Sequence, residues 1–328
     1  MINWGVIGGG KIVSRFLKSL KNNPEGRLYA AASRTEAKRE KLKSEYPDAK
    51  IYDNYDSLLA DPQVDLVYIG LNHSQHFHWA KQALEAGKGV LCEKPATLAY
   101  EENKELADLA REKQVFFMEG LKTRFIPMIR VMKPMLEEGV IGDVTRVEGA
   151  FCSASRVPDD SWLFDAKEGG VLNDLSAYVL GGILDYMDSE ITTIETQVEY
   201  AHGVDADIHA ELGFADGRTA GMALSCIKAR GRCGVIYGTK GKILMEPFHR
   251  PEKIRIVMND GTGQELEKPY IHDDFYTEIA EAQRCFAEGL IESPYMTLED
   301  SLRIRIATDQ VRTHLKMEEN KKNQSDNS

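Results

Sequence analysis

An open α/β domain with a parallel sheet, followed by an α+β domain built on a large, mostly antiparallel, open-faced sheet, is the architecture the sequence predicts. Three observations carry it. Over roughly the first 120 residues, short apolar runs alternate with longer stretches of helical periodicity, the signature of parallel strands joined by crossover helices. Those apolar runs are continuous rather than alternating, as expected of strands covered on both faces. After Phe125 the strand-like segments lengthen and are linked by "ADGR" and "GTKGK" turns, which predicts an antiparallel meander.

In chain order, the first domain has predicted strands at 3–7, 28–32, 66–71, 89–92 and 115–118, separated by helices at 14–22, 36–46, 76–86 and 100–113. A helix over 126–138 opens the second domain, and the alternating run "IGDVTRVEGAFC" follows as a strand. Further strands are expected at 194–200, 206–214, 219–227, 232–238 and 253–258, then helices at 275–288 and 298–316. The polar end of the chain, from about 317 to 328, lacks an apolar anchor and is expected to fray. The domains are therefore assigned to residues 1–122 and 123–328.

Composition excludes several classes of function. With 328 residues, 42% hydrophobic and 28% charged, the chain is an ordinary globular protein long enough for two cores. Its net charge of −11 argues against nucleic acid or an anionic membrane surface as partner, although backbone amides can still hold a phosphate. No apolar run reaches the roughly 20 residues of a membrane span. The start, "MINWGVIGGG", is expected to be structural rather than a cleaved leader. Five cysteines, at 92, 152, 226, 233 and 285, are scattered without CxxC spacing, which fits free thiols in the reducing cytoplasm.

The first strand runs into "IGGGKIV", placing Gly8 and Gly10 before a helix that opens with Lys11 and Ile12. The first glycine allows a tight turn and the second lets a pyrophosphate approach the helix N-terminus, as in a dinucleotide-binding Rossmann domain. Val13 occupies the third position of that fingerprint and is expected to loosen strand–helix packing. At the end of the second strand, where an NAD-specific domain carries a carboxylate for the ribose, this chain has Ser33 and Arg34. A hydroxyl and a guanidinium suit a 2′-phosphate, so NADP(H) is expected over NAD(H); the alternative is a solvated surface arginine.

The strand at 89–92 ends in Glu93-Lys94-Pro95. Ligands of open parallel sheets bind beyond the carboxyl ends of the strands, which directs Lys94, with Glu93, toward the cofactor. A lysine partly withdrawn from water beside a cationic nicotinamide readily gives up its proton and can accept one from a hydroxyl as hydride leaves. Pro95 can fix the turn, with a cis Lys-Pro bond as one way of doing so. From position alone, a lysine snorkelling into water is an equal reading. In "NHSQHFHW" three histidines fall within six residues, but no acids or cysteines accompany them at metal-ligand spacing. No metal is expected, and His76 is assigned to the cofactor side with Leu71 and Asn72.

The ordered set "GVIGGGKI", "SRT", "LNHSQH", "CEKP", "MEGLKTRFIP", "IGDV" and "EGGVLNDLSAY" resembles the glucose–fructose oxidoreductase / inositol dehydrogenase superfamily (Gfo/Idh/MocA). The resemblance runs from residue 2 to about 312 and is strongest to the branch of dihydrodiol dehydrogenases and NADP-dependent pentose dehydrogenases. It implies that Lys94 is the catalytic lysine and that Asp174 and Tyr178 of "NDLSAY" are its partners across the cleft. Positions i and i+4 share a helix face, in agreement with that role. Lys122 and Arg124, where relatives carry an aromatic at the former, are implied on the substrate side together with Trp162. Other departures are Asn72 for a proline, and Asn173 and Ser176 for an apolar residue and a glycine. The resemblance also implies a homodimer or homotetramer through the C-terminal sheet, whose second face needs cover.

The expected function is hydride transfer between NADP(H) and a hydroxyl or carbonyl carbon of a sugar, cyclic polyol or diol, with Lys94 exchanging the proton. The competing readings are a non-catalytic dinucleotide-binding regulator on the same fold, which has no use for a proton relay, and NAD-dependent glycosidase chemistry.

Overall fold

The computed structural model describes residues 1–154, 158 and 160–325, with side chains described through residue 318. Contacts divide the chain into two compact units, Met1–Phe125 with Tyr270–Leu302, and Ile126–Pro269 with Arg303–Ser328. The segment Tyr270–Leu302, which the sequence places in the second domain, belongs to the first unit because its apolar residues complete that unit's interior. Leu298 and Leu302 join the core formed by Ile7, Val67, Ile69 and Val90.

The first unit holds a six-stranded sheet in the order β3-β2-β1-β4-β5-β6, with every neighbouring pair parallel. Its strands are β1 (Ile2–Ile7), β2 (Gly26–Ala32), β3 (Lys50–Tyr52), β4 (Leu66–Ile69), β5 (Gly89–Glu93) and β6 (Phe117–Gly120). The intervening helices are α1 (Lys11–Leu20), α2 (Glu36–Glu45), α3 (Tyr55–Leu59), α4 (His73–Glu85) and α5 (Tyr100–Lys113). Strands β4, β5 and β6 are buried along their whole length, which explains their unbroken apolar reading. The edge strand β3 and the single-turn α3 have no sequence counterpart, being too short to establish a period. α4 begins three residues before its expected start and so carries His76 in its first turn.

Val13 does not loosen the packing. It is buried, and its Cγ2 fills space that two glycines leave open: a Cβ on Gly70 would lie 2.7 Å from it, and one on Gly8 3.3 Å. The close approach that a third glycine normally provides comes here from Gly70 on the chain leaving β4.

The second unit carries an eight-stranded sheet in the order β14-β13-β12-β11-β7-β10-β9-β8. Its elements are α6 (Pro127–Glu137), β7 (Val144–Cys152), α7 (Val171–Leu184), β8 (Ile191–Ala201), β9 (Val204–Phe214), β10 (Thr219–Ser225), β11 (Gly234–Gly238), β12 (Gly241–Met245), β13 (Lys253–Met258) and β14 (Gly263–Glu267). All pairs are antiparallel except β7–β10, so the sheet is a meander interrupted once by a parallel neighbour. "GTKGK", read as one turn, ends in strand β12. α7 packs on β7, β9 and β10. The opposite face of the sheet carries a polar net in which Arg146 pairs with Glu148 and Glu211 at 2.9 Å each, and Tyr237 donates to Glu148 at 3.1 Å.

Two helices complete the chain, α8 (Tyr276–Ala287) and α9 (Leu298–Ser325). Much of the segment expected to fray is helical, because extending an existing helix through Glu, Lys and Gln costs far less than nucleating one. The last three residues of the expected tail, 326–328, lie outside the described residues.

Candidate active site

The glycine turn is built for close approach. Gly8 has φ +120°, and a Cβ there would lie 2.3 Å from the Gly70 carbonyl oxygen, so glycine alone fits. A Cβ on Gly10, the N-cap of α1, would meet no heavy atom within 4 Å. The first-turn amides of α1, from Lys11 and Ile12 onward, thus begin at a glycine that leaves room beside them, the arrangement that accepts a pyrophosphate. Ser33 ends β2 with its Oγ 3.3 Å from the Cβ position of Gly9, and Lys38 lays its Cδ 3.0 Å from the same point. Arg34 donates to Gln75 Oε1 at 2.5 Å and lies over the Tyr55 ring, 5.4 Å from its centroid. Lys38 escaped the sequence reading. Its signal is the i+4 spacing from Arg34 at the start of α2.

Lys94 is 8% exposed and leaves β5 through a cis peptide bond to Pro95. Three anchors hold the residues around it. Glu93 accepts from the Tyr68 hydroxyl at 2.8 Å and from Lys122 Nζ at 3.0 Å. The Pro95 carbonyl lies 2.8 Å from Nδ1 of His76, whose Nε2 faces the Leu71 carbonyl at 3.1 Å. The Ala96 amide donates to Glu119 Oε1 at 2.9 Å, and the other oxygen of Glu119 accepts from Ser301. His76 therefore ties the chain after β4 to the chain after β5. Burial pushes its imidazole below the ordinary value, against the pull of both carbonyls and of Glu93. Asn72 is the N-cap of α4. Glu119 was not singled out by the sequence, because its partners are 23 and 182 positions away.

Lys122 and Arg124 lie in a 3-10 turn over Lys122–Phe125. Lys122 is paired with Glu93, and Arg124 with Asp300 at 2.7 Å and the Tyr295 carbonyl at 3.4 Å. Both cations are buried and committed to carboxylates of their own unit.

In the second unit, Asp174 lies in the first turn of α7 and Tyr178 one turn later. The N-terminus of that helix is fastened from β9: Asp205 Oδ2 accepts from the Leu172 amide at 2.7 Å, and Gly170, with φ +86°, leaves the room that Asp205 occupies. Burial raises the Asp205 carboxyl, opposed by the Leu172 amide and by Arg312. The departures on α7 have partners in the same unit. Asn173 accepts from Arg312 at 2.6 Å and donates to the Gly169 carbonyl at 2.9 Å, and Ser176 shares a 3.2 Å hydrogen bond with Thr308. The Tyr178 ring lies 5.7 Å from Phe151 and 5.3 Å from His249, which itself stacks on Phe151 at 4.4 Å. Trp162, in a short turn before α7, is 42% exposed.

Among the described residues, no group of three or more His, Cys, Asp or Glu is clustered to hold a metal, and no helix is long and apolar enough to cross a membrane.

Comparison with known proteins agrees with this geometry. Residues 2–121 match the model of an oxidoreductase family with an NAD-binding Rossmann fold, and residues 129–244 match the GFO/IDH/MocA C-terminal domain. The chain is 28% identical to D-xylose 1-dehydrogenase (NADP(+)) of Hypocrea jecorina, over 92% of this chain and 88% of that protein. It is also 28% identical to trans-1,2-dihydrobenzene-1,2-diol dehydrogenase of Sus scrofa, covering 95% and 96%. Among solved structures, KijD10, a 3-ketoreductase from Actinomadura kijaniata in complex with NADP and TDP-benzene, superimposes with a TM-score of 0.86 at 28% identity, over 95% of this chain and 97% of that one. With an unbroken parallel sheet, a glycine turn at its first crossover and matches to both characteristic domains, the chain belongs to the GFO/IDH/MocA family of oxidoreductases.

Proposed function

We propose that the protein is an NADP(H)-dependent oxidoreductase that interconverts a hydroxyl and a carbonyl on a sugar, cyclic polyol or diol, with Lys94 exchanging the proton. The observation that carries this reading is the placement of Lys94: a nearly buried lysine at the carboxyl end of a central parallel strand, with the chain on both sides anchored by Glu93, His76 and Glu119. A lysine free to snorkel would need no such frame.

Gly8 and Gly10, with the first-turn amides of Lys11 and Ile12, would hold the pyrophosphate, and Ser33, Arg34 and Lys38 the 2′-phosphate. Leu71, Asn72, His76 and Glu93 would border the nicotinamide end. The cofactor's contribution is hydride acceptance in one direction and hydride donation in the other. In oxidation, the neutral amine of Lys94 accepts the hydroxyl proton as the carbinol C–H bond breaks and the C=O bond forms; in reduction, its ammonium returns that proton to the oxygen. Asp174 and Tyr178 act on the same substrate, the carboxylate orienting and the phenol donating a hydrogen bond to the reacting oxygen. Trp162 belongs on the substrate side. Lys122 and Arg124 contribute from behind, since their charges are already engaged.

Sugars, polyols and diols are the substrate class that the names of the similar enzymes support. The polar outer face of the eight-stranded sheet is where a second copy would associate, and light scattering behind gel filtration reads that mass directly. Free thiols at five positions support a reducing compartment such as the cytoplasm.

The test is a parallel titration with NADPH and NADH, followed by turnover of pentoses, hexoses, inositols and cyclic diols. NADPH is expected to bind at least tenfold more tightly, and Arg34→Ala with Lys38→Ala to remove about that preference without weakening NADH. Folded, cofactor-free protein that binds neither dinucleotide overturns the reading.

A further inference from the structure

Glu278 is a buried charge that hydride transfer does not use. It lies in the first turn of α8, fully buried, and neither of its carboxyl oxygens has a hydrogen-bond partner. Buried polar atoms are nearly always paired, so two orphaned oxygens on one side chain require a reason. The groups whose charge it feels come from several elements: Lys122 from the 3-10 turn, Glu93 from β5, Tyr68 from β4, and Asp274 just before α8, itself held by Arg15 of α1 at 2.6 Å. Lys122 is the cation that Glu93 and Glu278 share. Its ammonium is hydrogen-bonded to Glu93 and lies 4.3 Å from the ring centroid of Phe275, one turn before Glu278. The family resemblance expects an aromatic at Lys122, so this buried cation is a feature of the present chain.

One ammonium cannot stabilise two ionised carboxylates in a dry interior. Burial alone would raise both acids. For Glu93, Lys122, the Tyr68 hydroxyl and Lys94 outweigh it and hold the carboxyl below the ordinary range. Glu278 is left with burial, opposed by Lys122 but reinforced by Glu93 and Asp274, and is pushed up to about 8. At neutral pH it is a neutral acid beside a balanced ion pair.

We propose that Glu278 is a positioning residue for the reaction, which sets, through Lys122 and Glu93, the charge that the buried cluster presents to Lys94. The proposal rests on Lys94 as the proton-exchanging group. With Glu278 protonated, the Glu93–Lys122 pair is neutral. With Glu278 ionised, the set carries one net negative charge next to Lys94 and favours its ammonium form. A base that must be neutral to accept a proton is thereby held back in alkaline solution, and the pH range of oxidation is shifted upward.

The test compares wild type with Glu278→Gln between about pH 6.5 and 10 in the oxidative direction, using NADP+ and whichever of D-xylose, D-glucose, myo-inositol and trans-1,2-cyclohexanediol turns over fastest. Glutamine stays neutral throughout. The pH of half-maximal kcat/KM is expected to fall by about half a unit, making the variant roughly threefold faster than wild type on the lower part of that limb. NADPH affinity is expected to be unchanged within about twofold. Profiles of the same shape, whether at full or uniformly reduced rate, overturn the proposal and leave the oxidoreductase standing. Infrared spectroscopy of the wild-type holoenzyme does not depend on the variant's folding. A protonated-carboxyl stretch present near neutral pH and lost in alkali supports the proposal, and its absence near neutral pH overturns it. If wild type binds NADPH but oxidises nothing in the wider substrate panel, the Lys94 assignment fails first and this proposal with it.

Discussion

The residues around Lys94 and those around Asp174 and Tyr178 are held by opposite strategies. Lys94 sits on a short irregular segment whose neighbours are pinned by partners far away in sequence: Tyr68, His76, Glu119 and Lys122. Asp174 and Tyr178 share one regular helix, and their spacing is fixed by helical geometry, with a single outside fastening from Asp205. A network of buried polar contacts resists displacement but is costly to break. A helix keeps its internal geometry when one cap is lost, and the whole element tilts instead. The first strategy suits a group that must exchange a proton at one point, the second a pair that must stay in register.

The largest effect expected is at Lys94 itself. Lys94→Ala should lower kcat by about 10²- to 10⁴-fold while NADPH affinity, read by fluorescence titration, stays within a few-fold. Equal losses in binding and turnover would place Lys94 in cofactor recognition instead. The buried acid behind it is expected next. An unfolded chain ionises Glu278 near its ordinary value of 4.5, whereas the folded chain holds the proton up to about 8. Between those values the unfolded state binds fewer protons, so this group's contribution to stability falls as pH rises through the window. Glu278→Gln should flatten that slope and raise the melting temperature at pH 8.5 by several degrees, corresponding to about 1–3 kcal/mol. Thermal melts across the window check it.

Breaking a long-range anchor should cost more than breaking the local cap. Glu119→Ala strands the Ala96 amide and the Ser301 hydroxyl, with an expected loss of about 1–3 kcal/mol in denaturant unfolding and a fall in kcat larger than the change in KM. Asp205→Ala should cost about 0.5–2 kcal/mol, and Asp205→Asn, which keeps an acceptor for the Leu172 amide, should recover part of it. If Asp205→Ala proves the more damaging of the two, the contrast between the regions is reversed.

The two strategies also decide what could be read in advance. The parallel sheet, the glycine turn and the lysine after β5 were legible because each is written in a few contiguous residues. The spacing of Asp174 and Tyr178 was legible for the same reason. Glu119, Lys38 and Glu278 were not, because each acts on residues that only the fold brings near. Lys122 and Arg124 looked like surface cations facing a substrate; their carboxylate partners, Glu93 and Asp300, lie 29 and 176 positions away, and nothing local reveals such a pairing. The parallel contact between β7 and β10 was hidden in the same way, since a meander and an interrupted meander have the same strand sequence. The return of residues 270–302 to the first unit depends on side chains such as Leu298 and Leu302 whose partners lie near the start of the chain.

Val13 and Gly70 carry a historical consequence. The space that a glycine usually frees on the helix side has been exchanged for space on the strand side, so neither position can be revised alone. Gly70→Ala in the present background collides with Val13, whereas after Val13→Ala the same change becomes admissible. A descendant returning to the commoner glycine fingerprint must therefore shrink the helix residue first and enlarge the strand residue second. The order of steps is dictated by a single methyl group.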